Sequence, residues 1–337
     1  MLVARVFCGF LKNKYIMRFR SWILCSVIVI CSVSSFAQES DTLRKQLDSM
    51  RKDEKGPGNK PIIDVDKEEY TSSTNITPKA YFVLLATDFK HIGTSPLHAS
   101  KKTWIKVGEL VLLEGAMFFA DKPIRKYSQE FMANNPGMRR TSEYITNFGG
   151  MWEVYTLAAF GAYGVIFKSN KVKTTTLLAT QAYITAGAVS SVVKYATGRV
   201  RPNFYDPNNP KDPDNAIFYG PPIFDSRSYG FNSSFPSGHT TAAFAAATVF
   251  AYEYKDQILI PAIAYTAAGL VGISRITENA HWATDVIAGF ALGYICGKQV
   301  VYNYHRYARL MASKKMSFNW NLNYSQGVIM PGLVCTF

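Results

Sequence analysis

The chain has 337 residues, of which 48% are hydrophobic, 14% aromatic and 18% charged, with 37 Lys+Arg against 24 Asp+Glu. That composition excludes a wholly disordered chain and supplies apolar material for one large domain or two small ones. A net charge of +13 suits nucleic acid, anionic lipid or a phosphate substrate alike, and the mean hydropathy of -0.02 is low for a membrane protein despite the few charges.

In chain order, Met17-Arg18-Phe19-Arg20 is a short cationic segment followed by the apolar run from Trp22 to Val33 and the small-residue pattern Ser35-Phe36-Ala37. This reads as an export signal over residues 1–37 with Met17 as the start, the run being short for a membrane anchor. Removing it takes away five basic and no acidic residues, so the net charge falls from +13 to +8. Cys8, Cys25 and Cys31 go with it, leaving Cys296 and Cys335 and no disulfide framework or zinc-type spacing. Residues 38–80 mix both charge signs around Gly56-Pro57-Gly58 and read as a solvated linker.

Six apolar stretches follow, at about 103–120, 148–167, 174–193, 240–254, 258–276 and 283–301, all rich in Ala, Gly, Ser and Thr. No alternating run interrupts them, so the expected fold is all-α, a bundle of about six apolar helices over residues 81–312. Glu109 and Glu114 in the first stretch are expected to face inward as structural polar groups, or, together with Lys106, to keep that stretch on the membrane surface. In the second case all three motifs described below lie on the periplasmic side, with Lys168, Lys171 and Lys173 in the cytosol. A soluble or peripheral periplasmic bundle would put the site in the same compartment. The tail, residues 313–337, alternates Phe318, Trp320, Leu322 and Tyr324 with Asn and Ser, then turns at Ser325-Gln326-Gly327, which predicts a terminal β-hairpin.

Three clusters carry chemistry. Lys194 and Arg201 are seven apart, close to two helical turns, and Pro202 disfavours helix at Arg201. Pro236-Ser237-Gly238-His239 precedes a small-residue stretch, so it predicts a helix start whose amides can face an anion. Ser274-Arg275 is followed by His281 and Asp285, an i,i+4 pair expected on one helix face with the carboxylate orienting the ring. Taken singly, each has a bland reading: a basic helix end, a capped helix, a helix-end ion pair. His91, His98 and His305 match no motif and are expected at the surface. The 33 residues from Asn203 to Phe235, rich in Pro, Asn, Asp and aromatics, predict a lid or specificity loop; Asp206, Asp212 and Asp214 there read as turn formers rather than calcium ligands.

Together the clusters match every fixed position of the signature of the type 2 phosphatidic acid phosphatase superfamily, which also holds bacterial class A acid phosphatases and vanadium haloperoxidases. The chain resembles that family from about Trp104 to Tyr302. The resemblance implies His281 as nucleophile forming a phosphohistidine, His239 as general acid and Asp285 as the group that orients His281. It implies phosphate binding by Lys194, Arg201, Arg275, Ser237 and the Gly238 amide, with no metal and no cofactor. Three cations could by themselves neutralise a phosphate dianion. The implied substrate is a phosphorylated lipid or small phosphoester, with membrane lipids and no nucleic acid as partners. A broad-specificity acid phosphatase and a vanadate-dependent haloperoxidase remain alternative readings.

Overall fold

The computed structural model describes Tyr70, residues 75–204 and 217–313, and the backbone of residues 317–325 and 328–336. The predicted leader, most of the predicted linker, Asp206, Asp212, Asp214 and the Cys335 side chain lie outside the described residues. The described chain is mostly helical. Its helices are α1 (Pro78–His98), α2 (Lys101–Phe118), α3 (Asp121–Asn134), α4 (Pro136–Thr146), α5 (Met151–Ile166), α6 (Asn170–Thr197), α7 (Gly238–Glu253), α8 (Leu259–Thr277) and α9 (Ala283–Ser313). Strands β1 (Ser317–Ser325) and β2 (Val328–Thr336) pair antiparallel, Ser317 opposite Thr336 and Ser325 opposite Val328. How this hairpin sits on the helices lies outside the described residues.

Local sequence explains most of the helix ends. Thr77, Ser100 and Ser169 cap α1, α2 and α6, each side-chain oxygen accepting from a backbone amide three residues on. Gly198 ends α6 in the left-handed region at φ 54°, and a Cβ there would stand 2.2 Å from the Gly220 carbonyl oxygen, so only glycine fits. α7, the most Ala- and Thr-rich helix, runs through the middle, against α6, α8 and α9. Its close approach to α9 rests on Gly289, Gly293 and Gly297, one helical turn apart. A Cβ on these would meet the carbonyl oxygens of Ser237, Thr241 and Ala245 at 2.8, 2.4 and 2.5 Å. The core around them is built from Leu84, Leu178, Val249, Val300 and Tyr304 with many alanines.

Helices α5 to α9 alternate in direction. One end of the bundle collects the starts of α5, α7 and α9 and the ends of α6 and α8, and all three motifs sit there. The opposite end collects Lys168, Lys171, Lys255 and the buried Glu253. Tyr70 lies at that opposite end, its hydroxyl on Glu253 and its ring under Lys171. The chain therefore enters far from the motifs, and α1 and α2 carry it to them, Phe118 stacking over Arg199. Among the described residues two helices, α6 and α8, are long and apolar enough to cross a bilayer. The outer faces expose Leu112, Leu113, Phe119, Ile166, Phe167, Ile263 and Ile273.

Several expectations need correction. Glu109 is exposed rather than inward, because α2 buries no residue, and Glu114 is half-buried. His91 and His305 are fully buried, not at the surface: His91 Nδ1 is 3.1 Å from Gln299 Nε2, and His305 Nε2 is 3.0 Å from Glu253 Oε1. Burial is sustained there because each ring has a polar partner inside the bundle. His98 is exposed as expected.

Candidate active site

The first cluster does not lie on one helix. α6 stops at Thr197, and the chain then runs extended through Arg199-Val200-Arg201, with Arg199 bridged to Phe218. Arg199 turns fully inward onto Asp121 and Asp285, whereas Arg201 stays partly exposed. Arg201 Nε donates to the Asn232 carbonyl at 2.9 Å, and Lys194 Nζ, still on α6, donates to the Ser233 carbonyl at 2.7 Å. Both cations are thus steered by the backbone that leads into the second cluster.

Ser237 is the N-cap of α7, and its amide donates to the Asp285 carbonyl at 2.9 Å, which pins the start of α7 to the start of α9. Its hydroxyl accepts from Thr240 Oγ1 rather than capping an amide. Gly238 leads the helix beside Lys194, whose Cε would lie 3.7 Å from an added Cβ, so the backbone and the ammonium share one wall. His239 is packed by Gly149 and Gly150. A Cβ on Gly149 would be 2.9 Å from the His239 Cβ, so the loop before α5 shapes this side of the site.

In the third cluster His281 lies in the loop before α9, and only Asp285 is on the helix. The expected i,i+4 pair on one helix face is corrected accordingly. The two still meet, because Asp285 reaches back from the first turn to accept from the Trp282 amide at 2.8 Å, half of a capping box. Its Oδ2 stands 3.4 Å from His281 Nδ1 and also accepts from the Ser234 hydroxyl. Arg275, on the last turn of α8, donates through Nη1 to Thr146 Oγ1 at 2.6 Å and to Glu278 Oε2 at 2.7 Å.

The electrostatics show how tightly these groups converge. Burial pushes the His239 imidazole down to about 4, aided by Arg275, His281, Arg201 and Lys194 around it. Burial also takes His281 down to about 4, with Asp285 pulling the other way. Asp285 is held below the usual carboxylate range although burial pushes it up, because Arg199, His281 and Ser234 favour its charged form. Among the described residues, no group of three or more His, Cys, Asp or Glu side chains is arranged to hold a metal ion.

The sequence reading missed Arg199, Asp121, Ser234, Thr284 and Trp282. Arg199 is fully buried between Asp121 and Asp285, and the Trp282 indole donates to the Val200 carbonyl at 2.8 Å.

Residues 175–309 match the sequence model of the PAP2 superfamily. A lipid A 1-phosphatase of Porphyromonas gingivalis is 49% identical over 67 residues, which are 20% of this chain and 15% of that protein. A lipid A 1-phosphatase of Rhizobium johnstonii is 27% identical over 217 residues, 60% of this chain and 79% of that protein. The crystal structure of a transmembrane PAP2-type phosphatidylglycerolphosphate phosphatase from Bacillus subtilis aligns with a TM-score of 0.42 at 25% identity. It covers 57% of this chain and 90% of that one.

Proposed function

We propose that this chain, whose residues 175–309 match the PAP2 superfamily model, is a phosphatase that removes phosphate from a phosphorylated membrane lipid. One observation carries the reading: two low-pKa histidines, one of them paired to a buried carboxylate, stand among Lys194, Arg201 and Arg275 at the start of α7. Three cations and the first-turn amides of Gly238 and His239 suit the equatorial oxygens of a phosphoryl group. The relatives named as lipid A 1-phosphatases make a sugar-linked lipid phosphate the first substrate to try.

In the proposed reaction His281 keeps the Nδ1 proton shared with Asp285, and its Nε2 lone pair attacks phosphorus. The bond from phosphorus to the leaving oxygen breaks, and His239 gives its proton to that oxygen. Water then attacks the phosphohistidine while His239 takes back a proton, releasing phosphate and restoring both rings. Lys194, Arg201 and Arg275 hold the charge throughout.

The test measures phosphate release by detergent-solubilised protein from lipid A, phosphatidate and p-nitrophenyl phosphate. His281→Ala and His239→Ala should each lower lipid hydrolysis by about a hundredfold or more. Near wild-type activity in His281→Ala would sink the assignment. Hydrolysis confined to p-nitrophenyl phosphate would favour a broad acid phosphatase instead.

A further inference from the structure

Behind Asp285, on the side away from His281, lies a second charge layer that the proposed reaction does not use. Arg199 is fully buried, with Nη1 on Asp285 Oδ1 and on Thr284 Oγ1 at 2.7 Å, and Nη2 on Asp121 Oδ2 at 2.6 Å. Asp121, the first residue of α3 and also fully buried, accepts the Thr284 amide at 3.0 Å and the Thr284 hydroxyl at 2.6 Å. The rings of Phe118, Phe218 and Trp282 enclose the guanidinium, with centroids 5.3, 4.7 and 5.7 Å from its central carbon. Three separate stretches of the chain, 118–121, 218 and 282–285, thus meet on one arginine. A buried ion network of this kind adds little net stability for its desolvation cost, but losing one member leaves a bare charge inside.

We propose that Asp121 and Arg199 are a positioning pair that fixes the charge and orientation of Asp285 and, through it, holds the His281 ring for attack. This deepens the phosphatase reading and rests on it. Arg199 occupies one carboxylate oxygen of Asp285, so the other is left to the Trp282 amide, Ser234 and His281. The cation also offsets part of the negative charge that would otherwise draw a proton onto the His281–Asp285 pair. Asp121 in turn offsets Arg199, so the pair sets the field at Asp285 from both sides. Other charged groups surround this network: Glu114 from α2 faces Asp121, Arg199 and Asp285, Lys194 from α6 and Arg201 from the segment after it face His281, and Arg275 from α8 faces His239 of α7, which itself faces His281. Glu114 is a half-buried carboxylate with no hydrogen-bond partner among the described residues, so the comparison is made in a Glu114→Gln background.

The signs are opposite for the two members. Removing the cation in Arg199→Gln raises the proton affinity of the coupled His281–Asp285 pair, whichever of the two takes the proton. The acid limb of the kcat profile should then move up by about one pH unit, with KM changed less than about twofold. Asp121→Asn leaves Arg199 uncompensated and must not move the limb up. Adding Asp121→Asn to Arg199→Gln should bring the limb back toward wild type, whereas a purely structural role would make the double variant worse. An unmoved limb in Arg199→Gln, or a further rise in the double variant, overturns the proposal. If Arg199→Gln does not fold, the nearly isosteric Asp121→Asn still decides: a limb raised in that variant refutes the pairing. The His281 titration read by 15N NMR, assigned against His281→Ala protein, follows the same shifts without substrate. Wild-type protein that releases no phosphate while these shifts occur would therefore count against the phosphatase reading alone.

Discussion

At the scale of single residues, burial lowers the pKa of both histidines, but the charges beside them differ, and the difference predicts their pH behaviour. His281 near 4 is neutral at pH 7, which is the state a nucleophile needs, and Asp285 keeps its ring from falling further. His239 near 4 is also neutral at pH 7, whereas a general acid must carry a proton. The cations that depress it, Arg275, Arg201 and Lys194, are the groups proposed to take the phosphate, so a bound dianion cancels their field and raises His239. The alkaline limb of kcat, set in the complex, should therefore lie at higher pH than that of kcat/KM, set in the free protein. Coincident limbs in lipid hydrolysis would contradict this account. His239→Ala should also damage hydrolysis of an alkyl phosphate far more than that of p-nitrophenyl phosphate, whose leaving group departs as a stable anion. The motif residues were legible because their chemistry dictates their spacing. Asp121 and Arg199 were not, since a buried aspartate 78 residues from its arginine leaves no local pattern.

Individual helices were legible to the degree that they bury apolar faces. The stretches behind α5 to α9 stand out because small and apolar residues fill them end to end. α3 does not, as its buried positions are only Asp121, Ser128 and Met132 among charged neighbours. The first motif misled at this scale because Lys-x6-Arg fits a helix, and Gly198 in its left-handed conformation ends that helix four residues after Lys194. The crossing of α7 and α9 offers a test of how element packing supports the site. Gly293→Ala places a Cβ 2.4 Å from the Thr241 carbonyl oxygen, so one helix backbone must move. Overpacking of this kind costs about 1–3 kcal/mol, and here it also pulls on the Ser237–Asp285 link one turn away. The variant should melt lower in detergent and lose activity through kcat. Gly187→Ala, where an added Cβ meets nothing within 4 Å, is the control and should match wild type. Equal melting of the two variants would show that the glycine stripe does not set the crossing.

For the whole molecule, the path of the chain fixes a relation between its entry point and its site. Tyr70 packs on Glu253 and Lys171 at one end, and the three motifs gather at the other. If the bundle crosses a bilayer, residue 70 and the site face opposite compartments. A site in the periplasm then requires Tyr70 on the cytosolic side, which a leader cleaved after Ala37 would not provide. The segment count made on the sequence avoided this conflict only by laying the first apolar stretch on the surface, and α2 instead runs up to Arg199. The short turn between α5 and α6 carries Lys168, with Lys171 and Lys173 just inside α6, and Lys255 follows α7. Basic residues in short connections favour the cytosol, so we expect the site to face the periplasm and the Tyr70 end the cytosol. Single cysteines at the exposed positions Ser226, near the site, and Asp256, at the far end, in a background freed of native cysteines report each face. In intact spheroplasts of a Gram-negative host, an impermeant thiol reagent should label Ser226→Cys at once and Asp256→Cys only after lysis. The reverse pattern would place the site in the cytosol, as a cleaved leader demands, and labelling of both would mean that the bundle does not cross the membrane.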